Sequence, residues 1–107
     1  KKEFEKRAGF ALMAMLAVHD RNENDEKFEL FFPFLLRESH DERNFVRKAI
    51  NWAIRQIGKR NVRLCKKAIK LSEEIRIKDD PASRWISSDA IRELKKYLSE
   101  GRIKDIG

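Results

Sequence analysis

Apolar residues recur at helical spacing along most of the chain. Spacing at i, i+3, i+4 and i+7 predicts five helices, separated by polar and helix-breaking residues. The predicted ranges are 2–19, 25–38, 42–60, 62–78 and 81–99. Composition agrees, because 4 glycines and 2 prolines in 107 residues are too few for a turn-dense all-β chain. The pattern therefore predicts one all-α domain.

The predicted helix ends carry residues that suit them. Four residues with short polar side chains are expected to be N-caps: Asn24, Asp41, Asn61 and Asp80. Pro81 follows the last of these at the first helical position, and Gly101 suits a helix stop. Pro33 removes a backbone donor inside the second helix and is expected to bend it.

An internal repeat relates three of the predicted helices. Shifting the chain by 41 residues overlays the first, third and fifth helices without a gap. The coinciding apolar sets are Phe4, Phe45 and Ile86; Ala8, Ala49 and Ala90; Leu12, Ala53 and Leu94; and Leu16, Ile57 and Leu98. This period is typical of helix-pair repeats that stack on one another, so we predict a HEAT-like solenoid with units 2–38, 42–78 and 81–99, the last one partial.

The first helix is apolar nearly all round. Phe10, Ala14 and Ala17 lie opposite the stripe that contains Phe4. A helix without a polar face is expected to have a neighbour on each side. Since a solenoid normally needs at least about three repeats, we expect the chain to be part of a longer solenoid, with further helices against the first one.

Positive charge is concentrated in the middle of the chain. The formal net charge is +7, and residues 41–78 hold 12 basic and 4 acidic groups. A local excess of this kind can build a surface that attracts a polyanion, and nucleic acid is the leading candidate. The alternative is a solvated lysine-rich face without a ligand.

A basic residue recurs in the first turn of each overlaid helix. Lys2, Arg43 and Arg84 occupy these positions, where a helix N-terminus also presents free N–H groups. Three such sites along one edge of a solenoid could contact successive phosphates of a duplex. The alternative is that each pairs with a nearby acid, as Glu42 could with a cation of the next helix.

The third helix carries a polar stripe opposite its apolar face. On a helical wheel, this stripe consists of Lys48, Asn51, Arg55 and Lys59. It could line a groove for a phosphate backbone, and Arg47 on the same helix joins the candidate DNA-binding residues. Trp52 falls beside Phe45 at the margin of the apolar arc and is interpreted as core packing.

Trp85 points away from the apolar stripe of the fifth helix, beside Arg84. Two explanations remain open. The indole could pack the helix start against the preceding loop, or it could offer an aromatic surface to a base or sugar.

Other chemistries find little support in the sequence. His19 and His40 lack the partners of a zinc site, so we expect neither a metal nor an organic cofactor. Cys65 lies on an apolar helix face and is interpreted as core. A single cysteine favours a reducing compartment, the cytoplasm, and the longest apolar run, residues 9–18, is too short to cross a bilayer. We expect a monomer without membrane contact.

Residues 42–61, ERNFVRKAINWAIRQIGKRN, carry a family resemblance. This run resembles the core signature of the DNA alkylation repair family, the AlkD-like DNA glycosylases. The segments 6–10 and 82–90 are similar to the flanking repeats of the family in the same order, so the resemblance spans nearly the whole chain.

The resemblance implies an all-helical solenoid of HEAT-like repeats whose concave face holds double-stranded DNA, and excision of N3- or N7-alkylated purines without a cofactor. Arg43 resembles the arginine that holds the DNA backbone, and Trp85 resembles the downstream catalytic tryptophan. The catalytic aspartate of the family is expected at or before position 1, where this chain has Lys1. The chain by itself is therefore expected to be catalytically incomplete, and the alternative is a non-catalytic DNA- or protein-binding module.

Overall fold

The computed structural model describes residues 2–20 and 24–104, and in these ranges the only regular secondary structure is helical. The helices are α1 (Lys2–His19), α2 (Asp25–Glu29), α3 (Phe32–Glu38), α4 (Asn44–Gly58), α5 (Val62–Ile77) and α6 (Pro81–Ser99). The predicted all-α class is confirmed. The first and last predicted helices have the observed bounds, whereas the predictions for α4 and α5 run one or two residues too far.

The helix predicted over 25–38 is two helices, α2 and α3. Pro33 has no N–H with which to continue the helical ladder, and its ring clashes with the carbonyl four residues earlier. The chain turns before it, and the carbonyl of Phe31 accepts the N–H groups of Phe34 and Leu35 at 3.1 Å. Pro33 therefore lies in the first turn of α3. The prediction of one bent helix is wrong because the break is complete.

Local capping chemistry sets most of the other helix ends. Three predicted N-caps are confirmed, since each side chain accepts the N–H of the residue three positions later: Asn24, Asn61 and Asp80. After α6, Gly101 has a φ of +67°, a conformation that glycine adopts without strain. Its N–H donates to the Leu98 carbonyl at 3.2 Å, and that of Arg102 donates to the Tyr97 carbonyl at 3.0 Å, which ends the helix in a Schellman motif.

Asp41 is not the N-cap that the sequence predicts. Helix α4 begins at Asn44, behind Arg43, whose side chain makes no capping hydrogen bond. The Asp41 carboxylate instead accepts the backbone N–H of Arg43 and two hydrogen bonds from its guanidinium. A carboxylate has enough acceptor sites for all three, so Asp41 is saturated before the first turn of α4 begins.

Helices α1, α4 and α6 pack side by side in the same direction, and α5 packs against both α4 and α6. At the amino-terminal end, Lys6 donates to Asp41 at 3.4 Å. At the other end, the guanidinium of Arg60 donates to the carbonyl of Ala17 at 2.9 Å. The 41-residue shift thus relates helices that are neighbours in space, and the fold is an all-α superhelix built by stacking them.

The two apolar sides of α1 differ in burial. The side that faces α4 is buried and contains Phe10, Ala14 and Ala17. On the other side, Phe4 and Leu12 are 63% and 60% exposed, whereas Ile86 and Leu94, their equivalents in α6, are fully buried. No helix within the described residues lies against that side of α1. The expectation that a neighbouring helix covers it stays a prediction.

Two helical glycines predict opposite effects of one substitution. A Cβ at Gly58 would lie 2.7 and 2.8 Å from the Cδ atoms of Leu94 and 3.1 Å from the Cβ of Ala68, whereas a Cβ at Gly9 would meet nothing within 4 Å. Alanine favours a helix over glycine by about 1 kcal/mol. Gly9→Ala should therefore raise the free energy of unfolding by about 0.5–1 kcal/mol, and Gly58→Ala should lower it by about 1–2 kcal/mol through overpacking. Urea unfolding measures both, and stabilisation by Gly58→Ala would contradict the close contact of α4 with α6.

Candidate nucleic-acid interface

A groove of about 600 Å³ lies across α1, α4 and α6. Helix α4 forms its centre and contributes the largest share of its lining. The polar and aromatic residues that line it are Arg7, Phe45, Lys48, Asn51, Trp52, Arg55, Trp85, Asp89 and Glu93. Cations, indoles and carboxylates therefore share one surface, which is a combination able to contact both the phosphates and the sugars or bases of a nucleic acid.

The internal repeat places its equivalent positions in this groove. Arg7, Lys48 and Asp89 are successive members of one 41-residue series, and Trp52 and Glu93 belong to another. The stacked helices thus present the same side to the groove. The charge along that side changes from basic on α1 and α4 to acidic on α6.

The predicted cationic stripe of α4 divides into exposed, paired and buried members. Lys48 is exposed, and no hydrogen bond or ion pair joins it to another described residue. Arg55 and Lys59 both contact the Glu93 carboxylate, the former at 3.2 Å. Asn51 is buried and is not part of a solvent-facing stripe, because α6 covers it.

Asn51 joins α4 to α6. Its Nδ2 donates to the Ile86 carbonyl at 3.1 Å, and its Oδ1 accepts from the Nε of Arg55 at 2.7 Å. Arg55 also lies 3.8 Å from Asp89. Because one guanidinium contacts the amide of its own helix and two acids of the next helix, its orientation is fixed.

The Glu93 carboxylate is ionised well below the usual range. Burial raises its pKa, but the hydrogen bond from Lys59 and the positive charge of Arg55 outweigh that effect and lower the pKa below the ordinary value. Glu93 therefore carries a negative charge at neutral pH and neutralises much of the positive charge that Arg55 and Lys59 bring to the groove.

Trp85 lines the groove and is 36% exposed. The guanidinium carbon of Arg47 lies 4.7 Å from the centre of its ring, a cation–π contact between α4 and α6. Trp52 is half-buried, packs against the core as predicted, and also faces the groove. The two indoles thus come from successive stacked helices.

The first-turn cations lie at one end of the stack but outside the groove lining. Lys2 is exposed at the start of α1. The guanidinium of Arg43 is held by Asp41, with one contact of 2.6 Å. Arg84 donates to the backbone carbonyl of Asp79 at 2.5 Å and to its carboxylate at 3.1 Å. Because α1, α4 and α6 run in the same direction, these three residues share an edge, and two of them are paired with acids.

The Asp41 carboxylate provides a test by pH. The hydrogen bonds from the Arg43 guanidinium hold the pKa of Asp41 far below its usual value, and they outweigh the opposite effect of burial. A depressed pKa stabilises the fold above the ordinary pKa of about 4, and that stabilisation is lost as the pH falls below it. Asp41→Asn should lower the free energy of unfolding by about 1 kcal/mol at pH 7, and the difference should shrink below about pH 4.

Thermal unfolding from pH 7 to pH 2 measures this difference. The matched control is Asp79→Asn, because Asp79 is exposed and pairs with an exposed arginine. Such pairs contribute little. Equal effects of the two substitutions, or an Asp41→Asn effect independent of pH, would contradict the assigned contacts.

Sequence reasoning missed Arg7 as a groove residue and assigned Trp52 to the core alone. The repeat itself held the signal. Applying the 41-residue shift to Lys48, which was a candidate, gives Arg7 on α1 and Asp89 on α6. The same shift links Trp52 to Glu93. Repeat equivalence identifies which side of each helix faces the groove, whereas a wheel drawn for one helix does not.

The described residues hold no group of three His, Cys, Asp or Glu side chains that could bind a metal ion. Cys65 is buried, as predicted, and burial raises the pKa of its thiol. In the same ranges, no helix combines the length and apolarity needed to cross a membrane.

Comparisons with known proteins give one match. Neither the curated proteins nor the solved structures contain a significant match to the chain. A family model described as DNA alkylation repair enzyme matches residues 1–94, a span that includes every residue lining the groove. The chain therefore belongs to the DNA alkylation repair enzyme family.

Proposed function

We propose that the groove across α1, α4 and α6 binds double-stranded DNA, and that the protein acts in the hydrolytic release of N3- or N7-alkylated purines. The observation that carries this proposal is that Trp52 and Trp85 line one groove beside the exposed cation Lys48. Cations hold the phosphates, and aromatic faces accept the sugar or base between them. Family membership supplies the repair context.

The chemistry of an alkylated purine suits such a groove. Alkylation at N3 or N7 makes the base cationic and therefore a good leaving group, so the protein mainly has to stabilise positive charge that develops on the deoxyribose. Indole faces stabilise cations through their ring quadrupole. In this proposal Trp85 lies next to the lesion sugar and Arg43 holds the adjacent backbone, with Lys2, Lys48, Arg55, Lys59 and Arg84 directed at phosphates.

The proposal requires a carboxylate for full activity. Both groove carboxylates are paired with cations: Glu93 with Arg55 and Lys59, and Asp89 with Arg92 at 2.6 Å. The aspartate expected from the resemblance falls at or before position 1, outside the described residues. This pairing favours a second candidate function, a DNA-binding module without chemistry.

Base release separates the two candidates. A duplex that contains one 7-methylguanine is incubated with an excess of the protein, and the free base is quantified by mass spectrometry. Release that Trp85→Ala reduces by about tenfold or more, as expected for a lost stacking contact, supports the enzyme. Binding without release supports the module.

Arg43 and the salt dependence test DNA binding itself. Each phosphate contact should contribute about 0.9 to the slope of log affinity against log salt. Arg43→Glu should weaken binding and lower that slope, whereas Arg102→Glu, which lies beyond the matched residues, is the control. No binding of duplex DNA at about 50 mM salt, where phosphate contacts are strong, would overturn both candidates.

A further inference from the structure

The guanidinium of Arg47 is committed to the Trp85 ring. It lies 4.7 Å from the ring centre, and the Nε–H of Arg47 is buried without a hydrogen-bond partner among the described residues. Its other polar contact is a long hydrogen bond of 3.4 Å to the side chain of Asn44. An arginine that leaves a donor unpaired and covers an indole gains its main interaction from that ring.

The same contact recurs between other stacked helices. In three pairs a cation covers an aromatic ring 38 residues later, at 4.0–5.5 Å or closer to the middle of that range. The pairs are Arg7 over Phe45 at 5.2 Å, Arg47 over Trp85 at 4.7 Å and Lys59 over Tyr97 at 4.4 Å. The spacing is a consequence of the stacking register, and only the Arg47 pair has its ring in the groove as an exposed indole.

The surroundings of Trp85 fix where this pair lies. The residue after it, Ile86, is fully buried, and its carbonyl accepts the Asn51 amide at 3.1 Å. The backbone of α6 is therefore held against α4 at the level of the indole. What remains to be set is the orientation of the ring, and the Arg47 guanidinium contacts the ring itself.

We infer that Arg47 is a positioning residue, which holds the Trp85 indole in the groove with one face covered and the other available to a nucleotide. This inference rests on the proposed function, because it assigns the available face to the sugar or base of bound DNA. It also removes Arg47 from the set of phosphate-binding residues that the sequence predicts.

The first test uses the free protein. Biosynthetic labelling with 5-fluorotryptophan gives two ¹⁹F signals, from Trp52 and Trp85, and the second is assigned by its loss in Trp85→Phe. Arg47→Gln should change the chemical shift of the Trp85 signal and increase its H₂O–D₂O isotope shift, with the Trp52 signal unmoved. Arg47→Lys should restore part of the native signal, because an ammonium also contacts a ring. A Trp85 signal that is the same in all three proteins would overturn the inference.

The second test uses duplex DNA and a matched cation. Lys48→Gln should reduce the slope of log affinity against log salt by about 0.9, as expected when one phosphate contact is lost. Arg47→Gln should leave that slope unchanged while lowering affinity for a duplex containing 7-methylguanine several-fold. A slope reduced as in Lys48→Gln would assign Arg47 to a phosphate and overturn the positioning role.

Failure of the proposed function gives a different result. In that case the unaltered protein binds no duplex, whereas the ¹⁹F signals still decide whether Arg47 orients Trp85. If Arg47→Gln does not fold, as judged by circular dichroism, Arg47→Met and Arg47→Lys provide the same comparison of an uncharged with a charged side chain of similar length.

Discussion

Glu93→Gln is expected to strengthen binding to duplex DNA about tenfold at about 0.1 M salt. In the native protein this carboxylate contacts both Arg55 and Lys59 at the wall of the groove. Glutamine removes the negative charge without changing the size of the side chain. The two cations then become available to phosphates, and each new phosphate contact should steepen the salt slope by about 0.9.

The control for Glu93→Gln is Glu100→Gln. It raises the net charge by the same amount, but Glu100 follows α6 and pairs with Arg102 outside the groove. Fluorescence anisotropy of a labelled duplex, titrated at several salt concentrations, measures both variants. An equal gain in the two variants would show an effect of net charge alone. No gain in Glu93→Gln would show that Arg55 and Lys59 do not face the DNA.

The features that the sequence predicted correctly depend on short-range chemistry. Asn24, Asn61 and Asp80 cap their helices because a short polar side chain reaches the N–H three residues later. Cys65 is buried because its helix has one apolar side. The 41-residue period predicted which helices stack, since equivalent stripes need equivalent partners.

The remaining features depend on which polar groups meet across helices. Asp41 has the side chain of an N-cap, yet it binds the Arg43 guanidinium, and a capping rule does not include that competitor. Asn51 shares a wheel sector with Lys48, but only the former lies under α6. The groove cations Arg55 and Lys59 are paired because α6 carries Glu93 at the matching height. The sequence contains these residues, but the stacking register that pairs them is a property of the fold.

Asn51→Ala is expected to be the most destabilising of the substitutions considered. The buried Asn51 amide holds α4 to α6 through the Ile86 carbonyl and accepts the Nε of Arg55 at 2.7 Å. Alanine leaves that charged donor without its acceptor and leaves a small cavity. Hydrogen bonds to charged groups contribute about 1.5–3 kcal/mol, so the free energy of unfolding should fall by about 2–3 kcal/mol. The midpoint of thermal unfolding should fall by roughly 10–20 °C.

Asn44→Ala is the matched control, because Asn44 belongs to the same helix but is exposed in its first turn. It should change stability by less than about 0.5 kcal/mol, as is usual for surface positions. Asn51→Asp separates the two hydrogen bonds, since it keeps the acceptor for Arg55 and loses the donor to the Ile86 carbonyl. Similar melting temperatures for Asn51→Ala and Asn44→Ala would contradict the role of the amide. If Asn51→Asp instead recovers most of the stability, the contact with Arg55 is the stronger one, and the groove wall and the stacking of α6 then depend on the same guanidinium.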